Sequence, residues 1–317
     1  MVWNGKTALV TGGCGFIGTN LVSMLAQAGA RVHVFDNLSV GSKEAIDGLE
    51  GSVKLIEADV RDLDALTEAC KDVSAVFHLA AQPGVIASIR DPEGDFQINA
   101  GGAFNALLAA QRQDAGSFVL ASSNAVVGEF TPGADETATP RPLSPYGASK
   151  LAAEGYCSAF AAAYGMHTAI LRFANAYGPH SGHKKQNAIP RFIERILNNG
   201  RLVIYDDGNQ VRDFIYVEDI CRAMMLAAER DLAGEVVHVA SGKGTTVLEL
   251  VRLFEKLVGR ELPIDHEPRR EGEAYRINPS VEKAKRVLGF EAQMPLEEGL
   301  AATYDWFQRR AQSEVER

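Results

Sequence analysis

The chain has 317 residues, of which 46% are hydrophobic, and a formal net charge of −9 at pH 7. This length and composition allow a large buried core, and the acidic balance disfavours a nucleic-acid-binding function, which needs a broad basic face. Because the first predicted strand begins close to Met1 and no apolar run approaches membrane-spanning length, we expect no signal peptide, no membrane anchor and a cytoplasmic location.

A glycine-rich turn at residues 11–18, with the sequence TGGCGFIG, joins the first predicted strand to the first predicted helix. A helix start presents unpaired N–H groups and the positive end of the helix dipole, so a pyrophosphate can bind there if no side chain blocks it. Gly12, Gly15 and Gly18 carry no such side chain. The pattern predicts the phosphate site of a dinucleotide, with an ordinary glycine-rich turn as the alternative.

The second predicted strand, residues 31–35, ends at Asp36, about 20 residues beyond the glycines. A carboxylate at this place can accept hydrogen bonds from both hydroxyls of an adenosine ribose. A 2′-phosphate would instead want an arginine there, and the residues that follow are Asn37, Leu38 and Ser39. The sequence therefore predicts NAD rather than NADP as the cofactor.

Strands and helices alternate as far as residue 173, which is typical of a parallel sheet with helices on both faces. The strands are predicted at 7–10, 31–35, 53–57, 75–79, 117–121 and 167–173, and the helices at 16–27, 63–70, 96–113 and 145–164. The fold class predicted is α/β, a Rossmann-type doubly wound parallel sheet with a smaller, interleaved C-terminal substrate-binding region.

Beyond residue 173 a long polar loop at 178–187 suggests a substrate site. The elements predicted after it lie at 189–198, 202–205, 210–216, 217–228, 236–239, 247–257, 281–288 and 295–309. No repeat or low-complexity linker separates the two regions, so we expect them to be interleaved. The NAD-binding domain is predicted to comprise 1–173 and about 209–241, and the substrate-binding domain about 174–208 and 242–317.

A second motif, Tyr146-Gly147-Ala148-Ser149-Lys150, lies at the start of the predicted helix 145–164. A four-residue separation places the phenol and the ammonium on one helix face. The ammonium and a positive nicotinamide ring both favour the phenolate, so we expect a lowered pKa for Tyr146 and a role as a base. Taken alone, such a pair is often an ordinary surface tyrosine and lysine, and the upstream dinucleotide motif favours the catalytic interpretation.

In this order the motifs resemble those of the extended short-chain dehydrogenase/reductase family, and more narrowly of its nucleotide-sugar epimerase/dehydratase branch. The residues that carry the resemblance are GxxGxxG at 12–18, Asp36, Asp59-Val60, HLAA at 78–81, SS at 122–123 and YxxxK at 146–150. It extends over essentially the whole chain through RFANAYGPH at 172–180, GNQVRDFIYVEDI at 208–220 and RREGE at 269–273.

The resemblance implies a role for each of three sets of residues. The catalytic residues would be Ser123, Tyr146 and Lys150. The NAD site would comprise Gly12, Gly15, Phe16, Ile17, Gly18, Asp36, Asn37, Ser39, Asp59, Val60, Leu79, Ala80, Ala81, Gln82, Asn99, Tyr146 and Lys150, with Asn99 near the nicotinamide. The nucleotide-sugar site would comprise Ser123, Asn175, Asn187, Arg212, Arg270, Glu273 and Tyr275.

Several residues keep two interpretations. Tyr275 would narrow the sugar pocket against N-acetyl groups, unless Ala274 takes that place. The cluster His180, His183, Lys184 and Lys185 forms either a solvated loop or a contact with a polar or acidic sugar substituent. The family's usual tyrosine before Gly128 is replaced by Val127, which puts one pocket contact in doubt. The cysteines Cys14, Cys70, Cys157 and Cys221 have no CxxC pair, which indicates packing thiols and no metal site.

The activity that the resemblance implies is 4-epimerisation of a UDP-sugar. Tyr146 would take the proton of the sugar 4-hydroxyl while a hydride moves from carbon 4 to NAD, which gives a transient 4-keto sugar. If the sugar turns over while its diphosphate stays anchored, the hydride returns to the opposite face. The sugar is left open between a hexose, an N-acetylhexosamine and a uronic acid.

Two alternatives to the epimerase are weighed. A 4,6-dehydratase needs an additional acid and base, and the resembling dehydratases carry an acidic pair where this chain has Asn124 and Ala125. A decarboxylase is disfavoured similarly. A non-catalytic NAD-responsive binding protein would typically lack the tyrosine or lysine that this chain retains. The resemblance also implies a homodimer, formed by the helices predicted at 96–113 and 145–164.

Overall fold

The structure, a computed structural model, describes residues 2–49, 51–131, 133–182, 187–270 and 272–315. Its strands are β1 (Thr7–Thr11), β2 (Arg31–Asp36), β3 (Val53–Glu57), β4 (Ala75–His78), β5 (Phe118–Ser123), β6 (Thr168–Phe173), β7 (Asn175–Tyr177), β8 (Leu202–Tyr205), β9 (Val211–Tyr216), β10 (Val236–Val239), β11 (Gly244–Thr246), β12 (Ile264–Glu267) and β13 (Arg276–Ile277). Seven of them form one parallel sheet in the order β3-β2-β1-β4-β5-β6-β10. This arrangement confirms the predicted fold class.

The helices are α1 (Phe16–Gln27), α2 (Leu63–Ala69), α3 (Val85–Arg90), α4 (Pro92–Asp95), α5 (Gly102–Arg112), α6 (Pro145–Tyr164), α7 (Ala188–Leu197), α8 (Val217–Ala228), α9 (Val247–Val258), α10 (Glu282–Leu288) and α11 (Leu296–Val315). Short 3₁₀ turns lie at Lys43–Ile46 and Asn124–Val126, and a π-helical turn lies at Phe96–Gly101. Among the described residues, no helix is both long enough and apolar enough to cross a membrane.

Helices cover both faces of the seven-stranded sheet, which explains the continuous apolar runs in its strands. Every residue of β1, β4 and β6 is buried. Apolar residues of α1 and α8 belong to the core cluster on one face, and those of α2, α5 and α6 to the cluster on the other. With both faces covered, the open edge at the carboxyl ends of the strands is the place where a ligand can bind.

Helix α6 has the bounds that the sequence predicted because both of its ends carry strong signals. The Ser144 side chain accepts a hydrogen bond from the backbone N–H of Gly147 at 3.2 Å, and Pro145 occupies the first turn. Gly165 ends the helix in the left-handed conformation, with φ of 67°. These caps place Tyr146 and Lys150 in the first turns of α6, beside the carboxyl end of β5.

A second, four-stranded sheet is built around β9, which pairs with β7, β11 and β13. The sequence placed residues from about 209 onward with the NAD-binding domain, whereas β9 pairs with strands of this second sheet. Helix α8 and strand β10 do lie with the large sheet, since β10 pairs with β6. Strands β8 and β12 form a separate parallel pair. With β9 in the second sheet, the chain returns to the large sheet at α8 and not at β9.

Candidate active site

Two adjoining cavities open at the carboxyl ends of the parallel strands. The smaller cavity has a volume of about 390 Å³ and the larger one about 420 Å³. Their walls share a set of residues from the first region of the chain, namely Phe16, Ile17, Val40, Pro83, Ser122, Tyr146 and Phe173. Ligands in the two cavities would therefore touch each other next to Tyr146.

The glycine-rich turn forms the floor of the smaller cavity. Gly12 has φ of 69°, and a Cβ atom there would lie 2.7 Å from the backbone nitrogen of Ala80. A Cβ atom at Gly18 would collide with the carbonyl oxygen of Gly12. Gly15 is the N-cap of α1 and offers no side chain to its N–H groups. The first turn of α1 is left open to an anion, as a pyrophosphate requires.

The carboxylate of Asp36 lies at the far end of the smaller cavity. Its two oxygens accept hydrogen bonds from the backbone N–H groups of Cys14 at 2.9 Å and Leu38 at 2.8 Å. Each oxygen keeps a further lone pair, which suits the donating hydroxyls of a ribose. Beside it, Asn37 donates to Asp59 at 2.8 Å. A hydrogen-bonded ion pair with Arg61 holds the pKa of Asp59 well below its usual range.

All predicted cofactor residues except Asn99 line the smaller cavity. Asn99 is 1% exposed and lies behind the wall. Its side-chain oxygen accepts a hydrogen bond from the N–H of Gln82 at 2.8 Å, and its nitrogen donates to the Gln82 carbonyl at 3.2 Å. Instead of meeting the cofactor as expected, Asn99 holds the segment of wall that would meet it. The glycine-rich turn, the free N–H groups at the start of α1 and the carboxylate of Asp36 fit the pyrophosphate and ribose of NAD.

Tyr146 belongs to the shared wall, and Ser123 lines the larger cavity beside it. Lys150 is 3% exposed, and its ammonium donates to the carbonyl of Ala121 at 3.0 Å. The chain's own groups raise the pKa of Tyr146, whereas the lowered pKa predicted from the sequence also included the charge of a bound nicotinamide. Burial is the main cause of the raised pKa and the Asp95 carboxylate adds to it, while the Ser123 hydroxyl acts in the opposite direction.

A buried ion pair lies directly beneath this wall. Arg172 donates to both carboxylate oxygens of Glu154, at 2.9 and 2.7 Å, and both side chains are 4% exposed. The hydroxyl of Ser122 donates to the same carboxylate at 2.5 Å. Through this hydrogen bond the ion pair fixes Ser122, which lines both cavities, and with it the end of β5 where Ser123 lies.

The predicted nucleotide-sugar residues line the larger cavity, with the exception of Tyr275. They are Ser123, Asn175, Asn187, Arg212, Arg270 and Glu273. Glu273 lies 3.7 Å from the guanidinium of Arg212 and 3.3 Å from that of Arg270. Burial lowers the pKa of Arg212, which stays a cation at neutral pH because an arginine pKa starts above 12. Two guanidinium groups thus face one cavity, as binding of a diphosphate requires.

Tyr275 lies outside the larger cavity, and Ala274 takes its place in the wall. The backbone N–H groups of Tyr275 and Arg276 donate to the carboxylate of Glu129, both at 2.7 Å. This fixes the strand so that the Tyr275 hydroxyl turns outward to Asp207, at 3.1 Å. Of the two interpretations left open by the sequence, the structure therefore favours the one in which Ala274 and not Tyr275 faces the pocket.

The loop cluster is only partly described. His180 lies against Trp306, with 5.2 Å between the ring centroids, and burial lowers its pKa. It is not among the residues that line either cavity. His183, Lys184 and Lys185 lie outside the described residues.

The sequence analysis missed Arg191 and Tyr205, which also line the larger cavity. Arg191 donates to the Tyr205 hydroxyl at 2.6 Å, and the guanidinium of Arg270 lies 3.7 Å from the centre of the Tyr205 ring. Together they form a flat, cationic end of the cavity that can receive a base and its phosphates. The available signal was an arginine in the first turn of an amphipathic helix, directly after the predicted substrate loop.

Comparisons with known proteins agree with this geometry. The sequence model of the NAD dependent epimerase/dehydratase family matches residues 8–240. A Methanocaldococcus jannaschii protein, provisionally named a UDP-glucose 4-epimerase, is 38% identical over 304 residues, which are 94% of this chain and 97% of that protein. The structure of UDP-glucose 4-epimerase from Thermotoga maritima with UDP-glucose is 34% identical at a TM-score of 0.91, covering 96% of this chain and 100% of that one.

A dehydratase is similar to nearly the same degree. The structure of a dTDP-glucose 4,6-dehydratase from Streptomyces venezuelae, solved with NAD bound, is 30% identical at a TM-score of 0.91. The match covers 97% of this chain and 98% of that one. The family match spans most of the chain, and the relatives cover nearly all of it, which confirms the resemblance and the cofactor that the motifs predicted. The chain belongs to the NAD-dependent epimerase/dehydratase family.

Proposed function

We propose that the chain is an NAD-dependent 4-epimerase of UDP-sugars that acts through a transient 4-keto sugar. The observation that carries the proposal is the position of Tyr146 in the wall common to both cavities, with Ser123 beside it in the larger one. A hydroxyl held against Tyr146 would stand next to the cofactor at the same time. Such contact before reaction supplies a large part of the catalysis in enzymes of this kind.

Each catalytic side chain has a distinct task in this proposal. Tyr146 takes the proton of the sugar 4-hydroxyl and returns a proton when the ketone is reduced. Ser123 orients that hydroxyl, and Lys150 places a positive charge next to the forming phenolate. The chemistry supplied by NAD, when bound, is uptake of a hydride from carbon 4 and its return.

In this proposal the 4-keto sugar ring has to turn over in the cavity before it is reduced. The rest of the substrate must therefore stay bound while the ring moves. The guanidinium groups of Arg212 and Arg270 can anchor the diphosphate through paired hydrogen bonds. Their shared partner Glu273 holds both in place. The anchor is distant from Tyr146 in sequence and belongs to the smaller region, so it leaves the sugar end of the cavity unobstructed.

Dehydration is the second candidate, and the residues next to Ser123 oppose it. Asn124 and Ala125 line the larger cavity where elimination would need an acid and a base. A carboxamide and a methyl group cannot relay protons at neutral pH. Asn124 is 2% exposed and, among the described residues, neither of its side-chain polar atoms has a hydrogen-bond partner. It is suited to hydrogen-bond a substrate, which is compatible with epimerisation.

We further propose that the protein acts in the cytoplasm as a homodimer, and that its NAD-binding domain comprises 1–173 with 217–241. All four cysteines are free thiols, as a reducing compartment allows. The surface near α5 and α6 carries exposed apolar side chains, with Phe96 62%, Tyr164 60% and Ile89 46% exposed. Such a patch is typical of a surface covered by a partner, and a second copy fits the twofold symmetry of most oligomers.

The dimer is tested by exchanging Phe96 for a charge. We expect the purified protein to sediment at twice the mass of one chain, and F96E to shift it toward one chain mass. The change lies in solvent in the single chain, so folding should be kept, as circular dichroism would verify. A wild-type protein that sediments at one chain mass at micromolar concentration would contradict the dimer.

The reaction is tested by proton NMR of the purified protein with NAD and, in separate samples, UDP-galactose, UDP-N-acetylglucosamine and UDP-glucuronate. We expect conversion of at least one of them to its 4-epimer, and the accepted sugar would identify the substituent that the pocket admits. A 4-keto-6-deoxy product would establish the dehydratase instead. Unchanged sugars in all three samples would contradict the proposal.

A further inference from the structure

A buried carboxylate that the proposed reaction does not use lies behind the catalytic pair. Asp95 ends α4, directly before the π-helical turn that carries Asn99, and it is 0% exposed. One oxygen, Oδ1, accepts a hydrogen bond from the Asn99 side chain at 2.7 Å. The other, Oδ2, has no hydrogen-bond partner among the described residues. Burial of a carboxylate is costly, so its retention beside an active site suggests a use for its charge.

Asp95 is linked to both cavities through short contacts. The side-chain nitrogen of Asn99, which donates to Asp95, also lies 3.3 Å from the hydroxyl of Ser149. Ser149 in turn donates to the carbonyl of Tyr146 at 3.1 Å. On the other side, Asn99 holds the backbone of Gln82 in the wall of the smaller cavity. A single carboxylate is thus connected to the backbone of Tyr146 and to the cofactor wall.

We propose that Asp95 is a positioning residue for the catalytic pair: it orients Asn99 at the wall of the smaller cavity and holds a negative charge that makes formation of the Tyr146 phenolate depend on positive charge from bound NAD. This inference rests on the proposed role of Tyr146 as the base. According to this inference, the phenol of Tyr146 stays protonated until NAD is bound.

The charges around Tyr146 support this assignment. Asp95 raises the pKa of Tyr146, in addition to the effect of burial. Burial raises the pKa of Asp95, while the Ser149 hydroxyl and the Lys150 ammonium act in the opposite direction. His78, whose pKa is lowered to about 3, is neutral at working pH and adds no charge. The other charged groups on α3 and α4 are Arg90 and Glu93, which are exposed and therefore screened by solvent. Asp91, the exposed N-cap of α4, adds to the raised pKa of Asp95.

The sign of the expected effect follows from these charges. Removing the negative charge of Asp95 favours the phenolate, so the pKa of Tyr146 should fall in D95N. The base would then form at lower pH, and the acid limb of the kcat/KM profile would move to lower pH as well. The amide oxygen of D95N can still accept from Asn99, because its NH₂ group can take the side of the unpartnered oxygen.

The test compares the full-length wild-type protein with D95N, each with NAD added. The absorbance of tyrosinate is measured as a function of pH. The contribution of Tyr146 is the part of this signal that is missing in Y146F. NAD affinity is measured by quenching of intrinsic fluorescence. We expect the Tyr146 midpoint to fall by about one pH unit in D95N, with NAD affinity close to that of the wild type. The matched control is E93Q, which removes an exposed carboxylate from the same short helix and should leave the midpoint close to wild type.

An unchanged midpoint in D95N would overturn the inference, whether or not the protein turns over a sugar. A shifted midpoint in a protein without epimerase activity would support the role of Asp95 and contradict the proposed function. The positioning half is tested separately by N99A, which keeps the carboxylate and also serves if D95N does not fold. We expect N99A to bind NAD about tenfold more weakly, and wild-type affinity in N99A would overturn that half.

Discussion

Y146F should lose about 10³-fold in kcat on the sugar that the NMR assay identifies, while it still folds and still binds NAD. The change removes one hydroxyl oxygen from the wall that both cavities share and leaves the ring in place. The variant lacks the phenol that the proposal makes the base, and general base catalysis is worth about 10²–10⁴-fold. The measurement is kcat by NMR, beside NAD affinity by fluorescence quenching.

The control for this variant is Y156F, on the same helix. Tyr156 is 47% exposed, and its ring packs edge-on against Phe104, a contact that does not need the hydroxyl. Y156F should therefore keep wild-type kcat. If Y146F retained kcat within tenfold of the wild type, Tyr146 would not be the base and the proposed mechanism would fail.

R212Q should raise KM by about 10²-fold with a much smaller change in kcat. A hydrogen bond to a charged group is worth about 1.5–3 kcal/mol, and Arg212 can make two to one diphosphate. The side chain is only 14% exposed, so solvent screens its charge little. An anchor that binds substrate and transition state alike changes KM rather than kcat. Steady-state kinetics on the accepted UDP-sugar give both values.

Two comparisons make the interpretation of R212Q specific. R252Q removes an exposed arginine from α9 and should leave KM unchanged. NAD affinity of R212Q should equal that of the wild type, because Arg212 does not line the smaller cavity. A KM within threefold of the wild type, in a folded R212Q protein, would show that the diphosphate is not anchored there.

The sequence was informative wherever the structure depends on local chemistry. The apolar runs of the large parallel sheet have both faces covered, and its strand positions were predicted to within a residue or two. Helix α6 was predicted correctly because Ser144 and Gly165 mark its ends. Helices α3 and α4 were not predicted, since six and four residues are too few to show a helical period.

The differences between prediction and structure concern properties that depend on distant parts of the chain. Strand β9 was predicted as a strand, but its partners are set by tertiary packing. Tyr275 and Ala274 are neighbours, and a one-residue difference in register exchanges which of them faces the cavity. For Tyr146, the sequence prediction counted the charges of Lys150 and of a bound nicotinamide, whereas burial and Asp95, fifty-one positions earlier, are contributions that its own motif does not contain.

The two cavities differ in the parts of the chain that form them. Every residue lining the smaller cavity comes from the first 173 positions, whereas the larger cavity also draws on residues between 174 and 277. Substitutions in the later part can therefore accumulate without disturbing the dinucleotide cradle. Such substitutions can change which sugar is accepted, or what happens to the 4-keto sugar, while the binding of NAD in the smaller cavity is kept. The similarity of this chain to both an epimerase and a dehydratase, at 34% and 30% identity, is what such independent change of the two cavities would produce.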